Sequence, residues 1–402
     1  MKITKAKGVK TFYYGNELLL PNQPYHDTFL QFMNTIFKWA RCFGVPGLSS
    51  MLWRIWAAVV LISLALTECG AIWKVIRALA GWARDTANHR SVTARFAGAM
   101  FYAASVISQI LCWRLSYRWR ALSKYWASVE WVLNIKYVPP DHSLKKRLLA
   151  VTAFMATGAT EEYYKMIAPP VLFVSNVATI LWNFQDILIV LISMGLTSRY
   201  RRLNMCVATV CSELNKERKW SKDNEILQVY LWRKIREAYV KQALLVRKIN
   251  SAFGLILLFS NFFSFYFICL QLFLGITQGF TGDVFQKMYS LVSLAWICVR
   301  TCCVVLAAAD IYENSKRALP YLYTCRAQFY NIEIERLQDQ LDKDNIALSG
   351  MGFFNLTRTV LLQVASSVIT YVLVLVQYDN RGDEQQTSNI TNFNMTLKDT
   401  MP

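Results

Sequence analysis

"TYVLVLVQ" occupies residues 370–377 and closes an apolar run that begins near residue 351. Five aliphatic residues sit between Thr370 and Tyr371 on one side and Gln377 on the other. A carboxamide moved into hydrocarbon without a partner costs about 2–7 kcal/mol. Gln377 therefore reaches water or faces something other than lipid. Thr370 and Gln377 lie two helical turns apart, ~10.5 Å along the axis, and project from nearly the same face. Two readings stay open on this evidence. Gln377 marks the outer interface beside Tyr378 and Asp379, or the face lines a pore built from several copies of the helix.

The same kind of run recurs through the chain. Of 402 residues 54% are hydrophobic and 17% charged, against about 25% charged in soluble domains. The apolar residues gather in seven blocks, about 51–67, 96–113, 148–166, 169–197, 249–275, 288–309 and 351–377. Each is long enough to cross ~30 Å of hydrocarbon as a helix, and only helices or closed barrels satisfy the backbone there. The composition predicts an all-α polytopic membrane protein with seven transmembrane helices. Its segments are residues 1–50, a six-helix region 51–309 with a helical extension over 198–248, a connecting segment 310–349, the last helix within 350–378, and a tail 379–402. The third block is the weakest, because Glu161 and Glu162 fall at its end. Pro169 and Pro170 give a tight turn between the third and fourth. The first 50 residues are polar and interrupted, so no cleavable signal peptide is expected.

Charge gives the orientation. The formal net charge is +18, and of 44 Lys and Arg, 32 lie in residues 1–50 and the loops 114–147, 198–248 and 310–349. The alternate loops and the tail hold nine. Cationic loops stay in the cytoplasm, which puts the N-terminus inside and, after seven crossings, the C-terminus outside. The tail sequons at Asn389 and Asn394 agree, since glycosylation is confined to the lumenal side. This orientation is the reverse of a G-protein-coupled receptor. The positive charge follows from topology, and no nucleic-acid module is present.

The basic loops contain further helices. "NEILQVYLWRKIREAYVKQALLVRKI" (224–249) spaces Ile226, Tyr230, Ile235, Tyr239 and Leu244 for one helical face and continues the fifth span into the cytoplasm. "AQFYNIEIERLQDQL" (327–341) offers Phe329, Ile332, Ile334, Leu337 and Leu341 for packing. These helices either cover one another or bind neighbouring subunits.

No catalytic set appears. His26, His89 and His142 sit in loops or tails, and no nucleophile elbow, P-loop or zinc-protease motif occurs. The ten cysteines form no CxxC pair and no zinc spacing. No enzyme, metal or cofactor is implied. Polar residues inside spans are the informative ones. In the fourth block Asn176, Thr179, Asn183 and Asp186 recur at three- to four-residue steps and share a face, with Trp182 adjoining. One reading is a hydrogen-bonded seam between helices, with Asp186 paired to an Arg or Asn, Arg300 being available. The other is an outward-facing pocket of amides, a carboxylate and a ring. That mixture suits a neutral polyol, whose hydroxyls bond to the amides while its C–H face stacks on an aromatic. Ser105, Gln109, Tyr266, Ser293 and Trp296 are further candidates.

With these residues in place, the chain resembles the insect gustatory receptors. The resemblance rests on Thr370, Tyr371, five mostly aliphatic residues and Gln377, and more specifically on "ALSGMGFFNLTRTVLLQVASSVITYVLVLVQY" (347–378). "NFQDILIVLISMGLTSRYRRLN" (183–204) resembles the sugar-receptor branch. One departure is Val372, where many members of that branch have an acidic residue. The resemblance implies a ligand-gated, non-selective cation channel of four like or mixed subunits in the plasma membrane, opened by a small-molecule sugar. It implies that the last helices line the pore, with Gln377 at the gate supported by Thr370 and Tyr371. It places the ligand pocket among the first six helices. The runner-up readings are a receptor of this fold for another tastant and a secondary transporter, although the repeats usual in transporters are not seen.

Overall fold

Every residue from Leu181 to Ser193 is buried, polar and apolar alike. A helix hydrophobic around its whole circumference belongs in a core rather than at a surface, and this segment occupies that place. The computed structural model describes residues 28–46, 51–80, 92–133, 141–156, 169–216, 222–277, 284–374 and 377. In chain order these form α1 (Thr28–Ala40), α2 (Met51–Leu79), α3 (Val92–Leu133), α4 (Leu144–Ala156), α5 (Pro169–Lys216), α6 (Lys222–Thr277), α7 (Val284–Lys316), α8 (Leu319–Tyr323), α9 (Ile332–Lys343) and α10 (Arg358–Val374).

Five of these, α2, α3, α5, α6 and α7, are long and apolar enough to cross a membrane, and α10 is a shorter apolar helix. The third expected span is represented by the 13 residues of α4, and residues 157–168 lie outside the described residues. α5 has 48 residues and α6 has 56, so at 1.5 Å per residue they run ~72 and ~84 Å, more than twice a hydrocarbon core. The helical extension expected over 198–248 is thus continuous with the spans on both sides, as far as Lys216 from one and from Lys222 to the other; residues 217–221 lie outside the described residues.

The chain divides into two compact units. The first comprises residues up to Phe259 and Val304–Thr357. Here α2 packs along α3, and α3 and α4 pack on α5. The N-terminal segment contributes α1, an amphipathic helix not expected from the sequence, which buries Phe29, Met33, Phe37 and Ala40. The Phe29 ring stacks on Trp126 at 4.5 Å and covers Gly195, where a Cβ would meet that ring at 2.6 Å. Only glycine lets α1 approach α5 this closely.

One cluster of buried charge in this unit is closely paired. Glu130 on α3 receives Arg199 on one carboxylate oxygen and Arg202 on the other, and all three side chains are less than a tenth exposed. Arg199 also lies 4.4 Å from the centre of the Trp126 ring and donates to the Trp126 carbonyl at 3.0 Å. Asp141, just before α4, accepts from Ser198 on α5, from Ser143 and from Arg147. Burial pushes its carboxyl up, and these three donors more than offset that and hold it below the usual range.

Two expected helices are altered. The 327–341 segment breaks at Asn331, whose side chain accepts from the N–H groups of Glu333 and Ile334, both at 3.1 Å, and starts α9. Phe329, Ile334, Leu337 and Leu341 are buried, whereas Ile332 is exposed. On α6, Ile235 and Tyr239 are buried while Ile226, Tyr230 and Leu244 are exposed. The last span starts at Arg358, not at residue 351. Residues 348–356 fold as a hairpin bridged at Ser349 and Asn355, with Met351 at φ 55° and Gly352 at φ 85°. Asn250 on α6 holds it, accepting from Ser349 N at 2.7 Å and donating to Ser349 Oγ at 2.8 Å.

The second unit comprises Ser260–Cys303 and the residues from Arg358 onward. Gln271 on α6 donates to Ser293 on α7 at 3.2 Å. α10 buries Val368 and Val372, one turn apart, and exposes Leu362, Ile369, Leu373 and Val374.

Candidate functional site

The polar face of α5 changes character along its length. Asn176 and Thr179 are half-buried, while Asn183, Asp186 and Trp182 are buried, with Asp186 only 1% exposed. The face therefore opens at its N-terminal end and closes two to three turns deeper. α3 fixes it in place. Ser105 donates to the Phe101 carbonyl at 2.9 Å and lies 3.3 Å from that of Ala178. Phe101 meets the Trp182 ring edge-on at 6.3 Å, and the Tyr102 hydroxyl bonds to Ser175. Thr179 donates back to the Ser175 carbonyl at 3.1 Å, so its hydroxyl keeps only acceptor capacity.

Chemically, this is a short row of amide, hydroxyl and carboxylate groups beside an indole face. It can accept and donate to a hydroxylated neutral molecule and stack an apolar face against Trp182.

The other candidates are distributed differently. Gln109 lies on α3, where its Nε2 donates to the carbonyls of Gly44 and Ala57, both at 3.1 Å. It ties the approach to α2 onto α3. Tyr266, Ser293, Trp296 and Arg300 belong to the second unit, with Thr370, Tyr371 and Gln377. Tyr266 and Trp296 are half-buried and Arg300 is buried. Thr370 is exposed and donates to the Ser366 carbonyl at 2.9 Å, and Tyr371 and Gln377 are exposed. Asn389 and Asn394 lie outside the described residues.

Sequence reasoning missed two polar links. Gln185, next to Asp186, accepts from Ser108 on α3 and donates to the Ile256 carbonyl on α6 at 3.0 Å, joining three helices. Tyr239 on α6 donates to Asn204 on α5 at 2.7 Å, and Asn204 donates to the Asn314 carbonyl on α7 at 2.8 Å. Gln185 stands one position from the face singled out, a 100° rotation. A single helical stripe therefore does not include it.

Comparison with known proteins gives this arrangement its context. Residues 159–388 match the family described as trehalose receptor. The gustatory receptor for sugar taste 64a of Drosophila melanogaster is 31% identical over 263 residues, covering 65% of this chain and 54% of that protein. The gustatory receptor 5a for trehalose, from the same organism, is 29% identical over 214 residues, covering 53% and 44%. The chain thus spans about half the length of these relatives. Among solved structures, the olfactory receptor OR5 of the insect Machilis hrabei in complex with eugenol matches with a TM-score of 0.58 at 13% identity, covering 88% of this chain and all of that one. That likeness shows a shared fold. The matched region contains α5 with its polar face, α10 with Thr370 and Tyr371, and Gln377. The chain belongs to the trehalose receptor family, within the sugar-taste gustatory receptors.

Proposed function

We propose that this chain is a subunit of a sugar-gated, non-selective cation channel in the plasma membrane. Four subunits, identical or mixed, surround one pore. Each crosses the bilayer seven times with its N-terminus in the cytoplasm. The observation that carries the ligand reading is the α5 face, which goes from half-buried Asn176 and Thr179 to buried Asn183, Asp186 and Trp182. An opening lined by an amide and a hydroxyl at one end and shut over an amide, a carboxylate and an indole at the other is what a polyol entering from outside requires. The family match supports a sugar as the occupant.

Gating follows from differential affinity. Sugar binds better to the pocket shape that accompanies an open pore, and the open population rises only as far as that difference allows. Gln377, with Thr370 and Tyr371 a turn or two away, forms the gate ring.

Current recording from cells expressing the protein, against a panel of mono- and disaccharides, tests the reading. Sugar should evoke cation current, and Asp186→Asn and Asn183→Ala should each shift the dose–response curve to higher concentration at unchanged surface expression. Unshifted curves for both remove the pocket assignment. A second reading, a receptor of this fold for another tastant, is favoured by Val372, and a current evoked by a non-sugar compound alone would select it. Sugar uptake without current would select a transporter. Loss of a glycan-dependent mobility shift in Asn389→Gln/Asn394→Gln is the expected outcome for an outside tail.

A further inference from the structure

Cys211 and Cys325 are 114 positions apart in sequence, yet their Sγ atoms stand 2.9 Å apart. That is inside the contact distance of two sulfurs and under 1 Å longer than the ~2.05 Å of a disulfide bond. Both are free thiols. The approach is not that of two chance surface side chains. Asn215, one turn beyond Cys211 on α5, donates to the Thr324 carbonyl at 3.2 Å and accepts from Arg326 N at 3.4 Å. One α5 side chain thus brackets Cys325 from both flanks. The Cys325 N–H is further fixed on the Leu322 carbonyl at 3.3 Å.

The two thiols differ in a way that assigns them roles. Cys211 is 2% exposed, whereas Cys325 is half-buried and reachable from solvent. The hydrogen bond between the two sulfurs holds the Cys325 thiol below its usual range. A reachable sulfur with thiolate character beside a sheltered partner is the arrangement of an attacking and a resolving cysteine.

We propose that Cys325 and Cys211 are a hydroperoxide-responsive modification site, oxidised reversibly to a disulfide that fastens the end of α5 to the segment leading into α9. The Cys325 thiolate attacks the O–O bond of hydrogen peroxide. An S–O bond forms, the O–O bond breaks, and the departing hydroxide takes up a proton as water, leaving Cys325 as a sulfenic acid. The Cys211 sulfur then attacks Cys325, forming S–S and breaking S–O, and its proton leaves with the hydroxyl as a second water. Two thiols and one peroxide give one disulfide and two waters. A cellular dithiol reverses the step by exchange and leaves as its own disulfide. Neither sugar binding nor channel opening enters this argument, so it stands or falls apart from the proposed function.

The test uses the full-length protein in cell membranes, alkylated with N-ethylmaleimide before or after hydrogen peroxide, and read by peptide mass spectrometry. Untreated protein should carry alkylated cysteines at both positions. After peroxide the 211–325 linked peptide should become the main form, and dithiothreitol should abolish it. Cys325→Ser should eliminate the link, Cys206→Ser should leave it, and Cys211→Ser should strand Cys325 as a sulfenic acid that dimedone labels. Absence of the linked peptide after peroxide, its presence before peroxide, or an unlabelled Cys325 in Cys211→Ser overturns the proposal.

Discussion

Replacing Glu130 with Gln is the most direct probe of what holds α3 to α5. The carboxylate serves two guanidinium groups, Arg199 on Oε2 and Arg202 on Oε1, with all three side chains under a tenth exposed. The amide keeps the shape but removes the charge and points an NH2 donor at a guanidinium, itself a donor. Removing one member of a buried ion pair costs about 3–5 kcal/mol, because a charge stays in the interior without its counter-charge. Total stabilities are only about 5–15 kcal/mol. With roughly 2 °C of midpoint per kcal/mol for a large chain, the expected drop is ~6–10 °C. Heating detergent-solubilised protein and following loss of the monodisperse peak in size-exclusion chromatography measures it. The control is Asp339→Asn, which breaks an exposed i,i+4 pair with Lys343 and should leave the midpoint in place, since solvent screens such pairs. A Glu130→Gln midpoint within ~2 °C of the parent would refute the reasoning, because the two arginines would then have no need of the carboxylate.

Three other outcomes are expected. Asn250→Ala removes both hydrogen bonds to Ser349, about 1 kcal/mol each, and should speed amide exchange at Leu356, whose N–H bonds the Leu348 carbonyl across the hairpin; unchanged exchange there counts against the clamp. Glu333 has a carboxyl held below its usual 4.5, first by the Arg236 hydrogen bond at 2.7 Å and also by Arg336. A depressed carboxylate stabilises the fold in full above its unfolded value and loses that contribution as pH falls through the folded value. Glu333→Gln should thus melt below the parent at pH 7, with the gap closing in acid below ~4.3; a gap constant with pH would contradict this. Gln377→Ala should change basal leak or unit conductance in patch recordings, and identical currents would remove Gln377 from the gate.

The helical class, the length of the fifth span's extension and the α5 stripe were all readable, because each is a periodic pattern within one segment. What escaped the sequence has identifiable physical causes. Residues 351–356 are as apolar as a span, so hydropathy joins them to α10, although Gly350 and Gly352 on either side of Met351 mark a turn. Asn331 two positions before Glu333 is a helix-start signal that the apolar spacing of 327–341 concealed. α1 lay inside a segment read as polar and interrupted, with its four buried residues too few to lift the average. The Glu130 cluster and the Cys211–Cys325 approach join positions 69 to 114 residues apart, and no local periodicity carries information over such separations.

Gln109 leaves a timing constraint on synthesis. Its amide donates to the carbonyl of Gly44, outside any helix, and adds a second donor to that of Ala57 inside α2; these leave the ribosome 65 and 52 residues earlier. Until position 109 arrives, the Gly44 carbonyl must keep water, whereas the Ala57 carbonyl is already held by its own helix. Biogenesis therefore favours releasing α2 and α3 into lipid as a joined pair, and a nascent chain stalled between them is the form that a quality-control protease would meet.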